Sequence, residues 1–240
     1  MEIISGFDHY VRQLGERRPD IFGLDADIFP DGGPKRNSLV EISGAQNTGK
    51  TLLLMQLVAK FLLRGEVIFI NVSHKIDVQL LGGFIKDELR SANDNATPTE
   101  IQESFEKCIG SLEMINCYSS EELEMTLESL DNHMLLEKDR VGLIVIDALC
   151  EFYWLDFTER KRMTKYCYYM ETLNRIRMIC NKFHVCCMFT VDTSFINPRQ
   201  TASRSVSIDH KLRLNALNNG QRTLNSRIIK FTERGVQCQK

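Results

Sequence analysis

A chain of 240 residues with 43 % hydrophobic and 26 % charged residues has the make-up of an ordinary globular protein, long enough to bury roughly 70 to 75 % of its unfolded surface around one core. No apolar run reaches the eighteen or so residues of a membrane span, so no membrane association is expected, and the first residues show neither the basic region nor the apolar segment of a secretory leader. The net charge of −2 hides an asymmetry: from Phe195 onward nine Lys or Arg face only Asp209 and Glu233, a net of +7, which leaves −9 on the rest. The eight cysteines follow no Cys-x-x-Cys or zinc-ligand spacing and are expected as free thiols of a reduced compartment, cytosol or nucleus.

Taken in order, Phe7, Tyr10, Val11 and Leu14 fall at helical spacing and predict a short amphipathic helix over 5–14, its apolar face packed on this domain or on another protein. Residues 21–37, with Pro30, Gly32, Gly33 and Pro34, read as a turn-rich lead-in. Ser38 to Ser43 reads as a short buried strand, and residues 52–63, almost continuously apolar, as a buried helix. Between them lies Gly44-Ala45-Gln46-Asn47-Thr48-Gly49-Lys50-Thr51, which satisfies G-x-x-x-x-G-K-[ST] in the strand–loop–helix context that motif needs. The glycines let backbone N–H groups and the helix N-terminus surround a phosphate chain, Lys50 adds a full charge, and Thr51 offers a hydroxyl to Mg²⁺. ATP with Mg²⁺ is the expected ligand.

Beyond it, residues 67–72 form a fully buried strand and residues 77–90 a helix. Thr97-Pro98-Thr99-Glu100 is a capping box with proline at the first helical position, opening a helix to about Cys108. Residues 112–117 are a strand, and Ser119 with Glu122 begins a helix carrying Leu123, Leu127, Leu130 and Met134 on one face. Val141 to Asp147 is the strongest strand of all; a helix over 163–183 and a strand over 185–191 follow. Alternating strands and helices predict an α/β fold with a mostly parallel sheet flanked by helices. The polar stretch 195–207 is long for a loop, and residues 207–214 and 223–231, joined by Asn218-Asn219-Gly220, read as an antiparallel hairpin. One domain over 1–240 is expected: a helix and lead-in (1–38), a P-loop core (39–194) and a basic loop and hairpin (195–240).

Asp147 ends a hydrophobic strand ninety-six residues after Thr51, where a P-loop protein places the carboxylate that orients Mg²⁺. With the lead-in Leu24-Asp25 and Gly32-Gly33, the strand Leu39 to Ser43, the P-loop, Leu143 to Asp147 and the closing segments Lys211-Leu212-Arg213-Leu214 and Arg227-Ile228-Ile229-Lys230, nearly the whole chain resembles the ATPase core of the RecA/RadA recombinases. The stretch Phe152-Tyr153-Trp154-Leu155-Asp156 and the ending Glu233 to Cys238 resemble most the eukaryotic recombinase paralogues. The resemblance implies a nuclear protein of homologous recombination that assembles with other recombinase paralogues in a hetero-oligomer and lacks the helical N-terminal domain of most relatives, since only 43 residues precede Gly44.

The same resemblance exposes two departures. Active relatives carry a glutamate just past the second strand, where it polarises the attacking water; here the position is Ser73, too weak a base, and His74 or Asp77 would serve only if the loop re-aimed them. The γ-phosphate sensor at the end of the 185–191 strand, usually glutamine, is Asp192, whose charge repels a phosphate. Little or no ATP hydrolysis is therefore expected. By analogy with the family's two DNA loops, Trp154, Arg160, Lys161 and Arg162, together with Arg199 and Arg204, are the candidates for contacting single-stranded or branched DNA within a complex, with Trp154 stacking on a base. The alternatives are an active DNA-stimulated ATPase and, more remotely, a small phosphotransferase such as a nucleoside kinase.

Overall fold

A computed structural model describes residues 5–136, 139–159, 163–196, 206–217, 220–233 and 235–239. Its centre is a nine-stranded mixed sheet built from β1 (Leu39–Gly44), β2 (Glu66–Asn71), β3 (Leu112–Asn116), β4 (Val141–Asp147), β5 (Cys186–Asp192), β6 (His210–Ala216), β7 (Arg222–Leu224), β8 (Arg227–Thr232) and β9 (Gly235–Cys238). The strand order is β3-β2-β4-β5-β1-β6-β7-β8-β9. The first six positions in that order pair in parallel and the last three add antiparallel strands. The expected α/β fold, mostly parallel and helix-flanked with an antiparallel C-terminal hairpin, is present.

The continuous apolar runs of β1 and β4 follow from burial on both faces; every residue of either strand is buried. Alternate residues serve opposite layers. Ile144 and Ile146 join a cluster beneath α5 (Ser120–Leu135) and α7 (Lys165–Phe183), which also takes Val11 of α1 (Gly6–Arg17). Leu143 and Val145 join a second cluster beneath α2 (Lys50–Leu62) and α3 (Val78–Ala92), reached also by Cys108 of α4 (Pro98–Gly110). Of the expected apolar face of α1, Val11 and Leu14 pack at home while Phe7 and Tyr10 are about half exposed. All eight cysteines are free and six are buried. No helix among the described residues is long and apolar enough to cross a membrane.

Local signals hold well. Thr97 and Glu100 form the reciprocal capping box of α4, and Asp77 caps α3 by accepting from the N–H groups of Gln79 and Leu80. At α5, Ser119 accepts from Glu122 N as expected, but the Glu122 carboxylate reaches one residue further back, to Tyr118 N at 2.7 Å. Two expectations need correction. The stretch after β4 contains a short helix, α6 (Tyr153–Glu159), where a loop was expected. The returning segment 223–231 is not one strand: Asn225 and Ser226, at φ 47° and 72°, turn the chain between β7 and β8. Two consecutive left-handed residues are the geometry of a tight hairpin turn, so the end of the chain is a meander in which β6 pairs with β7 and β8 pairs with β7 and β9. Of the expected Asn-Gly turn, Asn218 and Asn219 lie outside the described residues; around them Leu217 N donates to Gln221 O at 2.8 Å.

Arg18, only 1 % exposed, ties three element ends together. Its Nε donates to Phe183 O at 2.9 Å, and its terminal nitrogens donate to Val141 O at 2.6 Å and Met134 O at 3.3 Å. Burial pulls its pKa down to about 10, partly offset by Asp139, so it remains charged at neutral pH. Arg18→Ala strands these carbonyls and is expected to cost about 2 to 4 kcal/mol in a urea unfolding experiment; the exposed neighbour Arg17→Ala should stay within about 0.5 kcal/mol.

Candidate nucleotide-binding site

β1 delivers the chain to Gly44 from the middle of the sheet, and α2 leaves from Lys50. The intervening turn uses left-handed backbone at Asn47 (φ 59°) and Gly49 (φ 96°). Two glycines are dictated by space as well. A Cβ on Gly44 would lie 2.5 Å from Thr48 Oγ1 and 2.7 Å from Leu214 O, and one on Gly49 would lie 2.3 Å from the Phe231 ring. Gly49 caps α2 without a side-chain acceptor, leaving the first N–H groups of the helix for an anion. Lys50 Nζ donates to Gly44 O at 2.9 Å and Ala45 O at 2.7 Å, bent over the loop it belongs to. Burial lowers its pKa, and Asp192 and Asp147 oppose that shift.

Asp147, 1 % exposed at the end of β4, gathers three hydroxyl donors from α2, β5 and the loop after β2. Thr51 Oγ1 lies 3.0 and 3.2 Å from its two oxygens, Thr190 Oγ1 of β5 donates at 2.7 Å, and Ser73 Oγ donates to Oδ2. Thr190 is itself held by the Ala148 N–H at 2.7 Å. The donor set suits a hard cation: one carboxylate and one hydroxyl, leaving most positions to water and phosphate oxygens, is how Mg²⁺ is usually held beside a nucleotide. No group of three or more His, Cys, Asp or Glu among the described residues could hold a metal by itself.

Ser73 thus stands beside Asp147, and neither alternative base is re-aimed. His74, at φ 54°, stacks on Tyr118 with centroids 4.4 Å apart and donates its Nε2–H to Cys117 O at 2.9 Å. Asp77 is occupied as the α3 cap. Asp192, level with Gly44 across β1 and β5, lines the cleft and accepts Ser194 N at 2.8 Å.

The P-loop faces an open cleft of about 890 Å³, within the range that accommodates a nucleotide-sized ligand. Trp154, 62 % exposed, stands in its wall, and Lys165 Nζ lies 4.8 Å from the Trp154 ring and 5.0 Å from that of Phe195. Arg160, Lys161, Arg162, Arg199 and Arg204 lie outside the described residues. Sequence reasoning missed Lys75, Glu151, Lys165, Arg222 and Phe231, which all line the cleft. Lys75, two residues after Ser73, Glu151, four after Asp147, and Lys165, three after Arg162, carried a proximity signal; Arg222 and Phe231 come from distant strands.

Gly49→Ala combines a left-handed backbone with a clash and should cost about 2 kcal/mol or more. Adding Phe231→Ala should recover only the steric part, so the double variant melts above Gly49→Ala corrected for Phe231→Ala alone. The chain matches no known protein-family model and no curated protein sequence.

Proposed function

We propose that this chain is a RecA-type P-loop subunit that binds ATP with Mg²⁺ and hydrolyses it little or not at all, acting as a nuclear scaffold among other recombinase paralogues. In that role it assists recombinase filament assembly in the repair of DNA double-strand breaks by homologous recombination. The observation that carries the reading is the Asp147 cluster. Thr51 and Asp147 lie together at 3.0 Å as a magnesium-binding pair requires, while the residue expected as base is Ser73, donating a hydrogen bond to the same carboxylate.

The roles of the residues follow from their chemistry. The N–H groups of Gly49 to Thr51 and the Lys50 ammonium would bind the phosphates, and Thr51 with Asp147 would hold Mg²⁺, which when bound neutralises phosphate charge. Ser73 and Thr190 orient Asp147. A serine hydroxyl takes no proton from water at neutral pH, and loss of a general base typically slows turnover 10²- to 10⁴-fold. DNA contact belongs to the assembled complex, with Trp154 as the exposed stacking group.

One observation favours the second reading, an active DNA-stimulated ATPase. Glu151 lines the same cleft, with Lys75 3.8 Å away, and is a carboxylate able to act as a base. Two measurements separate the readings. Mg²⁺-ATP at a hundred times Kd should raise the melting temperature by roughly 5 to 11 °C, and Lys50→Ala should abolish the shift. Turnover with partner proteins and single-stranded DNA should remain at background; turnover at an ordinary ATPase rate that Glu151→Gln removes would establish the second reading instead.

A further inference from the structure

We propose that Arg222 and Phe231, on the C-terminal meander, form a base subsite in which the planar ring of a purine nucleotide stacks on the Arg222 guanidinium; this rests on the reading of residues 44–51 as a phosphate cradle. Both side chains line the cleft. The guanidinium carbon lies over the Phe231 ring, 4.6 Å from its centroid, so the cation is placed against an aromatic face. Phe231 in turn rests on Gly49, close enough that a Cβ there would overlap it. The stack therefore abuts the end of the phosphate loop.

Sheet order supplies the direction. Asp147 lies on β4 and Asp192 on β5, to one side of β1, whereas β7 and β8 lie to the other. Thr51 and Asp147 mark the end of the cradle where the metal and terminal phosphates belong. The nucleoside end then runs toward β7 and β8, where Phe231 is the aromatic ring lining the cleft; Trp154 and Phe195 follow β4 and β5. No acidic side chain among the described residues pairs with Arg222, and both Arg222 and Phe231 are partly exposed. A guanidinium over one aromatic ring can take a second planar ring on its open side, and the larger purine gains more from that contact than a pyrimidine.

The test is calorimetric titration of the full chain with Mg²⁺ and, in turn, ATP, CTP and inorganic tripolyphosphate. Wild type should bind ATP roughly tenfold more tightly than tripolyphosphate, the stacking of one base, and more tightly than CTP. Arg222→Gln, Arg222→Lys and Phe231→Leu should bring ATP down to the tripolyphosphate affinity and leave tripolyphosphate itself nearly unchanged. Arg222→Lys keeps the charge and loses the plane, and as a conservative change at a partly exposed position it guards against misfolding as the cause.

Equal affinity of wild type for ATP and tripolyphosphate would overturn the subsite while leaving the cradle intact. Full ATP affinity in Arg222→Lys, or equal loss of ATP and tripolyphosphate in Arg222→Gln, would make Arg222 a phosphate contact and overturn the stack. If neither ligand binds, the cradle reading falls and the subsite with it.

Discussion

The site depends on one carboxylate. Asp147 is buried at the end of β4 and accepts hydroxyls from Thr51 at the start of α2, Ser73 beyond β2 and Thr190 on β5. A carboxylate buried this deeply is tolerated only when its lone pairs are satisfied, and here they are satisfied by hydroxyls from the start of α2, the loop after β2 and β5. The same bonds that solve the burial problem hold the loop, the second strand and the fifth strand in register. Ser73 suits this arrangement as a donor, whereas a glutamate there would bring a second carboxylate against Asp147 unless a cation stood between them.

A second constraint joins the P-loop to the end of the chain. Gln56 of α2 donates to Val236 O at 3.2 Å and accepts Val236 N at 2.7 Å, replacing a strand partner for β9 with a helix side chain. Gly235 follows from this approach, since a Cβ there would lie 2.5 Å from Gln56 Oε1. With Phe231 resting on Gly49, the antiparallel meander is attached to the helix that opens after Gly49 rather than hanging from the sheet edge.

The opposite wall of the cleft is held differently. Asp156 of α6 is buried and accepts Ser120 Oγ at 2.7 Å and Tyr168 OH at 3.0 Å, fastening the short helix to the start of α5 and to α7. With Asp156 turned inward, Trp154 and Leu155 face outward, 62 % and 65 % exposed. The inversion of polarity, a carboxylate inside and a tryptophan outside, leaves an aromatic ring exposed at the mouth of the cleft, with Lys165 over its face.

By itself the sequence determined what short-range physics controls: the buried strands, whose apolar runs require cover on both faces; the helix caps at Thr97 and Ser119; the glycine turn between β1 and α2, whose glycines and lysine are adjacent in the chain; and Asp147 at the end of its strand. It missed α6, because seven residues with a buried aspartate and an exposed tryptophan carry no helical hydrophobic period, and it read β7 and β8 as one strand, because Asn225-Ser226 lacks the glycine that marks a tight turn. Only the tertiary structure decided which hydroxyls meet Asp147, where Arg18 finds its carbonyls, and that Arg222 and Phe231 reach the P-loop. Those contacts join residues separated by tens to hundreds of positions, up to the 182 between Gly49 and Phe231, and no periodicity or motif encodes them. They are set when the sheet order brings strands distant in the chain side by side.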